Sequence, residues 1–239
     1  MTPTDEAVSD DRWQTSILSG VEKKALVWMA HRTPSWISPD LLTYLGLFGL
    51  ALSGLSYYLV RHGWWFLIIA SVGLVINWLG DSMDGTLARV RNRQRPKYGY
   101  YLDHLVDAFG ISLMIIGLAY SGLISQPFVW LVLILFFIAS INTYLATHTV
   151  NIFKISYQRI STTEARVLMI IMNTVLIFIK TVRINGFRFY WLDFVAGLGA
   201  LFLLIVTIRS AFLNLRQLDR EERSEWSQDS ESQSEQKES

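Results

Sequence analysis

Four aspartates, Asp81, Asp84, Asp103 and Asp107, lie in or beside two apolar stretches long enough to cross a membrane. A carboxylate at bilayer depth costs roughly 2.5–3.5 kcal/mol on insertion scales, so four together approach about 10 kcal/mol if nothing answers their charge. Either a cation sits among them or they are protonated. The spacing favours a cation. Asp81 and Asp84 are three apart and Asp103 and Asp107 four apart, so on helices turning about 100° per residue each pair projects from one face. Two such faces set opposite each other would make a box of carboxylate oxygens. With no cysteine in the chain, that ligand set suits a hard divalent ion, Mg²⁺ or Mn²⁺, rather than zinc or copper. Gly85 follows the second acid, where a missing side chain lets a bulky ligand or a neighbouring helix approach the backbone. Ala88 is small to the same effect, and Arg89 supplies a planar, permanently charged fork suited to phosphate. Acids for a metal and an arginine for phosphate suggest a metal-bound diphosphate.

Asp81-x-x-Asp84-Gly85-x-x-Ala88-Arg89, followed by Gly99-x-x-x-Asp103-x-x-x-Asp107, resembles the signature of the CDP-alcohol phosphotransferase (CDP-alcohol phosphatidyltransferase) family of integral membrane enzymes. One departure is the nine residues between Arg89 and Gly99, where the family pattern has seven or eight. The surplus falls in the polar run 91–97, a loop between spans that tolerates insertion. The resemblance implies a transferase of phospholipid synthesis. A CDP-linked donor, often CDP-diacylglycerol, passes its substituted phosphate to an acceptor hydroxyl and releases CMP. It further implies that Asp81, Asp84, Asp103 and Asp107 hold two divalent cations, Mg²⁺ or Mn²⁺. Asp84, Gly85, Ala88, Arg89 and Gly99 line the nucleotide site, and Asp107, with Asp103 beside it, is the candidate general base. His104 is a rival base because it adjoins Asp103 and has the better intrinsic pKa, although a helix neighbour of Asp103 points about 100° away from it. A plain helix-helix or interfacial histidine is the alternative. The family also implies a homodimer among membrane lipids. The Asp103-His104 and Thr163-Glu164 pairs lean toward a CDP-choline or CDP-ethanolamine enzyme, the second choice. A divalent cation transporter would also gather acids, but it has no use for Gly-x-x-Ala-Arg beside them.

The elements that must carry these residues are apolar helices. At 239 residues, 51% hydrophobic with nine Trp and a positive mean hydropathy, the chain is one domain of an all-α membrane protein. A formal charge of +1 gives no sign of a nucleic-acid partner. The acidic start MTPTDEAVSDDRW argues against a cleavable signal peptide.

Six transmembrane helices are expected over 39–214, after a cytoplasmic N-terminal segment 1–38 and before a disordered cytoplasmic tail 215–239. Residues 16–32 place Ile17, Leu18, Val21, Ala25, Leu26 and Met29 on a helical period among charged residues. This is an amphipathic helix for the membrane interface, or else a cap packed on the bundle. Ser38-Pro39-Asp40 signals a helix start. Spans follow over about 41–60, 64–90, 100–121, 128–147, 165–182 and 190–214. Asn77, four before Asp81, shares the acid-bearing face, either touching ligand or hydrogen-bonding a neighbouring helix. Ser161-Thr162-Thr163-Glu164 fits a capping box, with a role for Glu164 in acceptor binding as the alternative. Lys and Arg concentrate in the N-terminal segment, the loop holding Arg91, Arg93, Arg95 and Lys97, the connector with Lys154 and Arg159, and the tail. This bias puts both termini and the acid box in the cytoplasm, against an awkward Lys180, Arg183 and Arg188 opposite. Such juxtamembrane cations ordinarily set topology and meet anionic lipid. Were the acceptor itself phosphorylated, the 91–97 loop, Lys154 and Arg159 are where its phosphate would dock.

Overall fold

The computed structural model describes residues 19–149, 162–179, 181–184 and 187–238. Helix α1 (Ser19–Arg32) leads into α2 (Pro39–Leu59), a short 3-10 turn (Val60–His62), α3 (Phe66–Val90), α4 (Pro96–Ala119) and α5 (Gln126–Thr149). Then come α6 (Thr162–Phe178), strands β1 (Thr181–Ile184) and β2 (Phe187–Tyr190), and α7 (Trp191–Glu238). Five helices, α2 to α5 and α7, are long and apolar enough to cross a membrane. Their outer faces expose Phe48, Leu55, Ile68, Leu113, Ile138 and Phe202. Apolar patches of that extent belong against lipid.

Helix α2 is the hub, with α3 and α4 packed along its length. Its start is the one expected: Ser38 Oγ accepts from the Leu41 amide at 3.2 Å, with Pro39 at the first helical position. Glycine lets the three backbones close up. A Cβ on Gly80 would come within 2.5 Å of Gly46 N and Leu42 O, and one on Gly54 within 2.5 Å of Leu113 O. Small residues at such crossings are the usual route to tight helix association in lipid. Ser53, fully buried, donates to Gly49 O and across to Ala70 O at 2.9 Å. The apolar core runs through Leu50, Leu67, Leu74, Ile115 and Leu176.

Helix α6, the expected fifth span, has 17 residues, about 25 Å at 1.5 Å per residue against a hydrocarbon core of about 30 Å. It docks through polar side chains as well as through Leu176. Tyr57 Oη donates to Asn173 Oδ1 at 2.9 Å, and Asn173 Nδ2 donates to Ser71 Oγ at 3.0 Å. The chain is therefore not purely α. Between α6 and α7 lies an antiparallel hairpin whose register pairs Arg183 with Arg188, and both cations fall outside any span. Lys180 lies outside the described residues, as do Lys154, Arg159 and Ser161, so the capping box and the connector are not described.

Of the two readings of the N-terminal helix, the packing matches the cap on the bundle, and the tail differs from what was expected. The N-terminal helix packs on α3, burying Leu26 and Ala30 against Met83 and Leu87, while Glu22 Oε1 accepts from Trp78 Nε1 at 2.8 Å and from Thr163 Oγ1 at 3.1 Å. The tail beyond 214 is helical rather than disordered, continuing α7 to Glu238. It holds many Glu and Gln and three Arg, which lose little rotamer freedom in a helix, and is supported by pairs four apart such as Arg223–Asp219 at 2.9 Å and Gln217–Glu221 at 2.8 Å.

Arg91 is held here rather than offered to a ligand. Its guanidinium donates to the carbonyls of Ile37, Thr33 and Pro34 at 2.5, 3.0 and 2.8 Å, tying the α1–α2 connector to the end of α3. Charge-assisted bonds contribute about 1.5–3 kcal/mol each, and stranded carbonyls cost more than exposed ones. Arg91→Ala is expected to lower the thermal midpoint in detergent by several degrees. Unchanged melting would show that water replaces the guanidinium at no cost.

Candidate active site

Asp81 and Asp84 sit in the second half of α3, and Asp103 and Asp107 in the first half of α4. The two helices touch each other little. Each is instead pressed on α2, α3 through Gly46, Gly49, Gly73 and Gly80 and α4 through Gly54, Gly110 and Gly117. Their acid-bearing faces meet alongside α2. One carboxylate oxygen from each of Asp81, Asp103 and Asp107 lies within 4.8 Å of the others. Two oxygens on one Mg²⁺ at 2.0–2.1 Å stand at most about 4.2 Å apart, so a small closure brings all three onto one hard cation.

Asp84 stands outside this triad. Its carboxylate accepts from Thr43 Oγ1 at 2.6 Å and from the Gly85 amide. A three-residue step falls about 60° short of a full turn, which aims Asp84 toward α2 while Asp81 faces α4. Thr43 is buried and also donates to Pro39 O at 3.3 Å. Only a tertiary contact could have identified it.

A cation that the sequence reading passed over faces the cluster. Arg166, in the first turns of α6, donates from Nη2 to Asp81 Oδ2 at 2.7 Å and from Nε to Asn77 Oδ1 at 2.7 Å. Its side chain is 12% exposed and that of Asp81 22%. Asn77 in turn donates from Nδ2 to Gly46 O at 3.1 Å, so its helix-bridging reading is the one observed. A signal for Arg166 was present, because an arginine opening an otherwise apolar run needs a partner.

His104 is bonded within its own helix rather than to the triad. Its Nδ1 lies 2.8 Å from Tyr100 O. A carbonyl only accepts, so Nδ1 carries a proton. The imidazole is flanked by Tyr100, with ring centres 4.0 Å apart, and by Tyr144 at 5.0 Å, edge on. Nδ1 is 3.7 Å from Asp103 Oδ2, beyond a hydrogen bond. Arg89 is exposed and lies across Gly85: a Cβ there would be 3.6 Å from Arg89 Nη1, and Nη2 donates to Thr86 Oγ1 at 3.3 Å. Ala88 is half-buried one turn on. Gly99, in the first turn of α4, is exposed with nothing within 4 Å of where a Cβ would stand. In the basic loop, Arg95 pairs with Asp40 and lies 4.1 Å over the Tyr98 ring.

Comparison with known proteins agrees with this arrangement. A family model for CDP-alcohol phosphatidyltransferase matches residues 36–211, which include α2 and every residue of the site. An uncharacterized protein of Aquifex aeolicus is 39% identical over 77 residues, 32% of this chain and 36% of that protein. An archaetidylinositol phosphate synthase of Pyrococcus horikoshii is 30% identical over 98 residues, 41% of this chain and 49% of that protein. The chain thus spans about half or less of the length of these curated relatives. The breadth of the family match, with its motif acids gathered from two helices, makes the chain a member of the CDP-alcohol phosphatidyltransferase family.

Proposed function

We propose that the protein transfers the substituted phosphate of a CDP-linked donor, CDP-diacylglycerol, to an alcohol and releases CMP. The observation that carries this reading is the convergence of the Asp81, Asp103 and Asp107 carboxylates from two helices within 4.8 Å. Asp81, Asp103 and Asp107, with Asp84 once turned from Thr43, would hold two Mg²⁺ or Mn²⁺ ions. Such ions clamp a diphosphate and offset the charge that builds on departing CMP. Arg89, beside Gly85, binds a phosphate oxygen, and Ala88 and Gly99 leave room for the nucleotide. Asp107 accepts the acceptor's proton as its oxygen bonds to the phosphorus carrying the diacylglycerol. The bond from that phosphorus to the bridging oxygen then breaks, and CMP leaves with the oxygen. A carboxylate is a weak base toward an alcohol, so it acts as the proton moves in the transition state. Asp103 orients the cluster. His104 is the lesser candidate because its ring is held between two tyrosines. The bias of Lys and Arg supports cytoplasmic termini and a site open to the cytoplasm, with α6 as a sixth, short crossing in a homodimer.

The test is purified protein with labelled CDP-diacylglycerol and a panel of alcohols that includes glycerol 3-phosphate and inositol phosphate. CDP-choline and CDP-ethanolamine with diacylglycerol form a second arm. CMP release is expected from the first arm, abolished by EDTA and restored by Mg²⁺ or Mn²⁺. Release only from the second arm would reassign the donor, and release unaffected by EDTA would remove the metal from the mechanism.

A further inference from the structure

We infer that Arg166 is a built-in competitor of the divalent cation, holding Asp81 while the site is metal-free and giving it up when a cation binds. The inference rests on the metal role proposed above for the triad. Three carboxylates within 4.8 Å repel one another unless positive charge is near, so a membrane protein made before it meets its metal needs a stand-in. Arg166 is placed for that task. It comes from α6, a helix outside the acid pairs, and reaches Asp81 across a tertiary gap.

Its two anchors differ in kind. The bond from Nε to Asn77 Oδ1 is to a neutral amide that is itself fixed on Gly46 O, whereas the bond from Nη2 is to a carboxylate wanted by the metal. The Asn77 bond holds the guanidinium in place when the Asp81 bond is surrendered. Nη1 is buried and has no hydrogen-bond partner among the described residues. The guanidinium is therefore incompletely satisfied where it stands, as suits a contact made to be exchanged.

Linkage fixes the consequences. Whatever stability the Arg166–Asp81 pair adds to the metal-free protein is subtracted from cation affinity, because the two compete for one carboxylate. Arg166→Gln keeps a hydrogen bond to Asn77 available and removes the charge. It is expected to tighten Mn²⁺ binding about tenfold, within the roughly 5–150-fold range of linked equilibria. The readout is free Mn²⁺ by electron paramagnetic resonance during titration of the purified protein. The variant's melting temperature in EDTA should fall by several degrees below wild type, while in saturating Mn²⁺ the two should coincide. Arg166→Lys, which retains charge without the fork, should lie between them on both measurements. A Gln variant recoverable only with Mn²⁺ present is the extreme form of the same result.

Unchanged or weaker Mn²⁺ binding in Arg166→Gln, or equal loss of melting temperature with and without Mn²⁺, overturns the inference and leaves Arg166 a fixed structural cation. If wild type itself shows no saturable Mn²⁺ binding, the metal role of the triad falls first and this inference with it.

Discussion

Asp107→Asn should reduce CMP formation by at least a hundredfold while leaving the protein folded. The substitution keeps the shape of the side chain and removes both its charge and its capacity to accept a proton. General-base assistance contributes roughly 10²–10⁴-fold to a rate, and loss of one of three converging carboxylates also weakens the hold on the cation. The two contributions separate on titration. A ligand defect yields to higher Mn²⁺, which refills a weakened site, whereas a missing base does not. Asp107→Asn is expected to stay depressed at saturating Mn²⁺, and Asp81→Asn to recover in part. His104→Phe tests the rival: with Nδ1 on Tyr100 O and the ring between Tyr100 and Tyr144, its loss should cost less than about tenfold, far below the 10²–10⁴-fold of a lost base. Full activity in Asp107→Asn with a dead His104→Phe would exchange the two roles.

What could be read in the sequence was local. Helical period placed Asp81 on one face and Asp103 with Asp107 on another, and the demand for a counter-charge at membrane depth told that something positive would be near. The structure supplies Arg166, which lies more than 80 residues on in the chain, a distance at which spacing carries no signal. Asp84 illustrates the limit of the same rule: three residues is close to a turn but not equal to it, and the remainder was enough to hand its carboxylate to Thr43. Span lengths misled where a hydrophobic run was interrupted by cations. The stretch 165–182 breaks into α6 and a hairpin strand, since a charged side chain is costly at bilayer depth and a chain carrying Arg183 and Arg188 beyond it has reason to turn there. The end of α7 erred in the other direction. Low hydrophobicity argued for disorder, yet helix propensity and charge pairs such as Asp219 with Arg223 extend a helix already nucleated by the span before it, where the costly first turn has been formed.

Gly117→Val should prevent α4 from seating on α2 and yield little or no folded protein in detergent. A Cβ at Gly117 would overlap the backbone of Gly54, its carbonyl first, and a backbone atom cannot rotate aside as a side chain can. Overpacking of a core commonly costs 1–3 kcal/mol when side chains can give way; here two helices must part, so more than about 3 kcal/mol is expected. The site feels the separation as well. Gly117 and the acids Asp103 and Asp107 ride on one helix, so lifting α4 from α2 carries two of the three converging carboxylates away from Asp81. Any folded fraction should therefore bind Mn²⁺ poorly in addition to melting early. Gly199→Ala is the matching control, because nothing lies within 4 Å of a Cβ at that position in α7. There alanine should be neutral or stabilise by up to about 1 kcal/mol through helix propensity. Size-exclusion profiles and thermal melts of the two variants decide the matter: a well-folded Gly117→Val with normal Mn²⁺ affinity would show that α2 does not set the spacing of the acids.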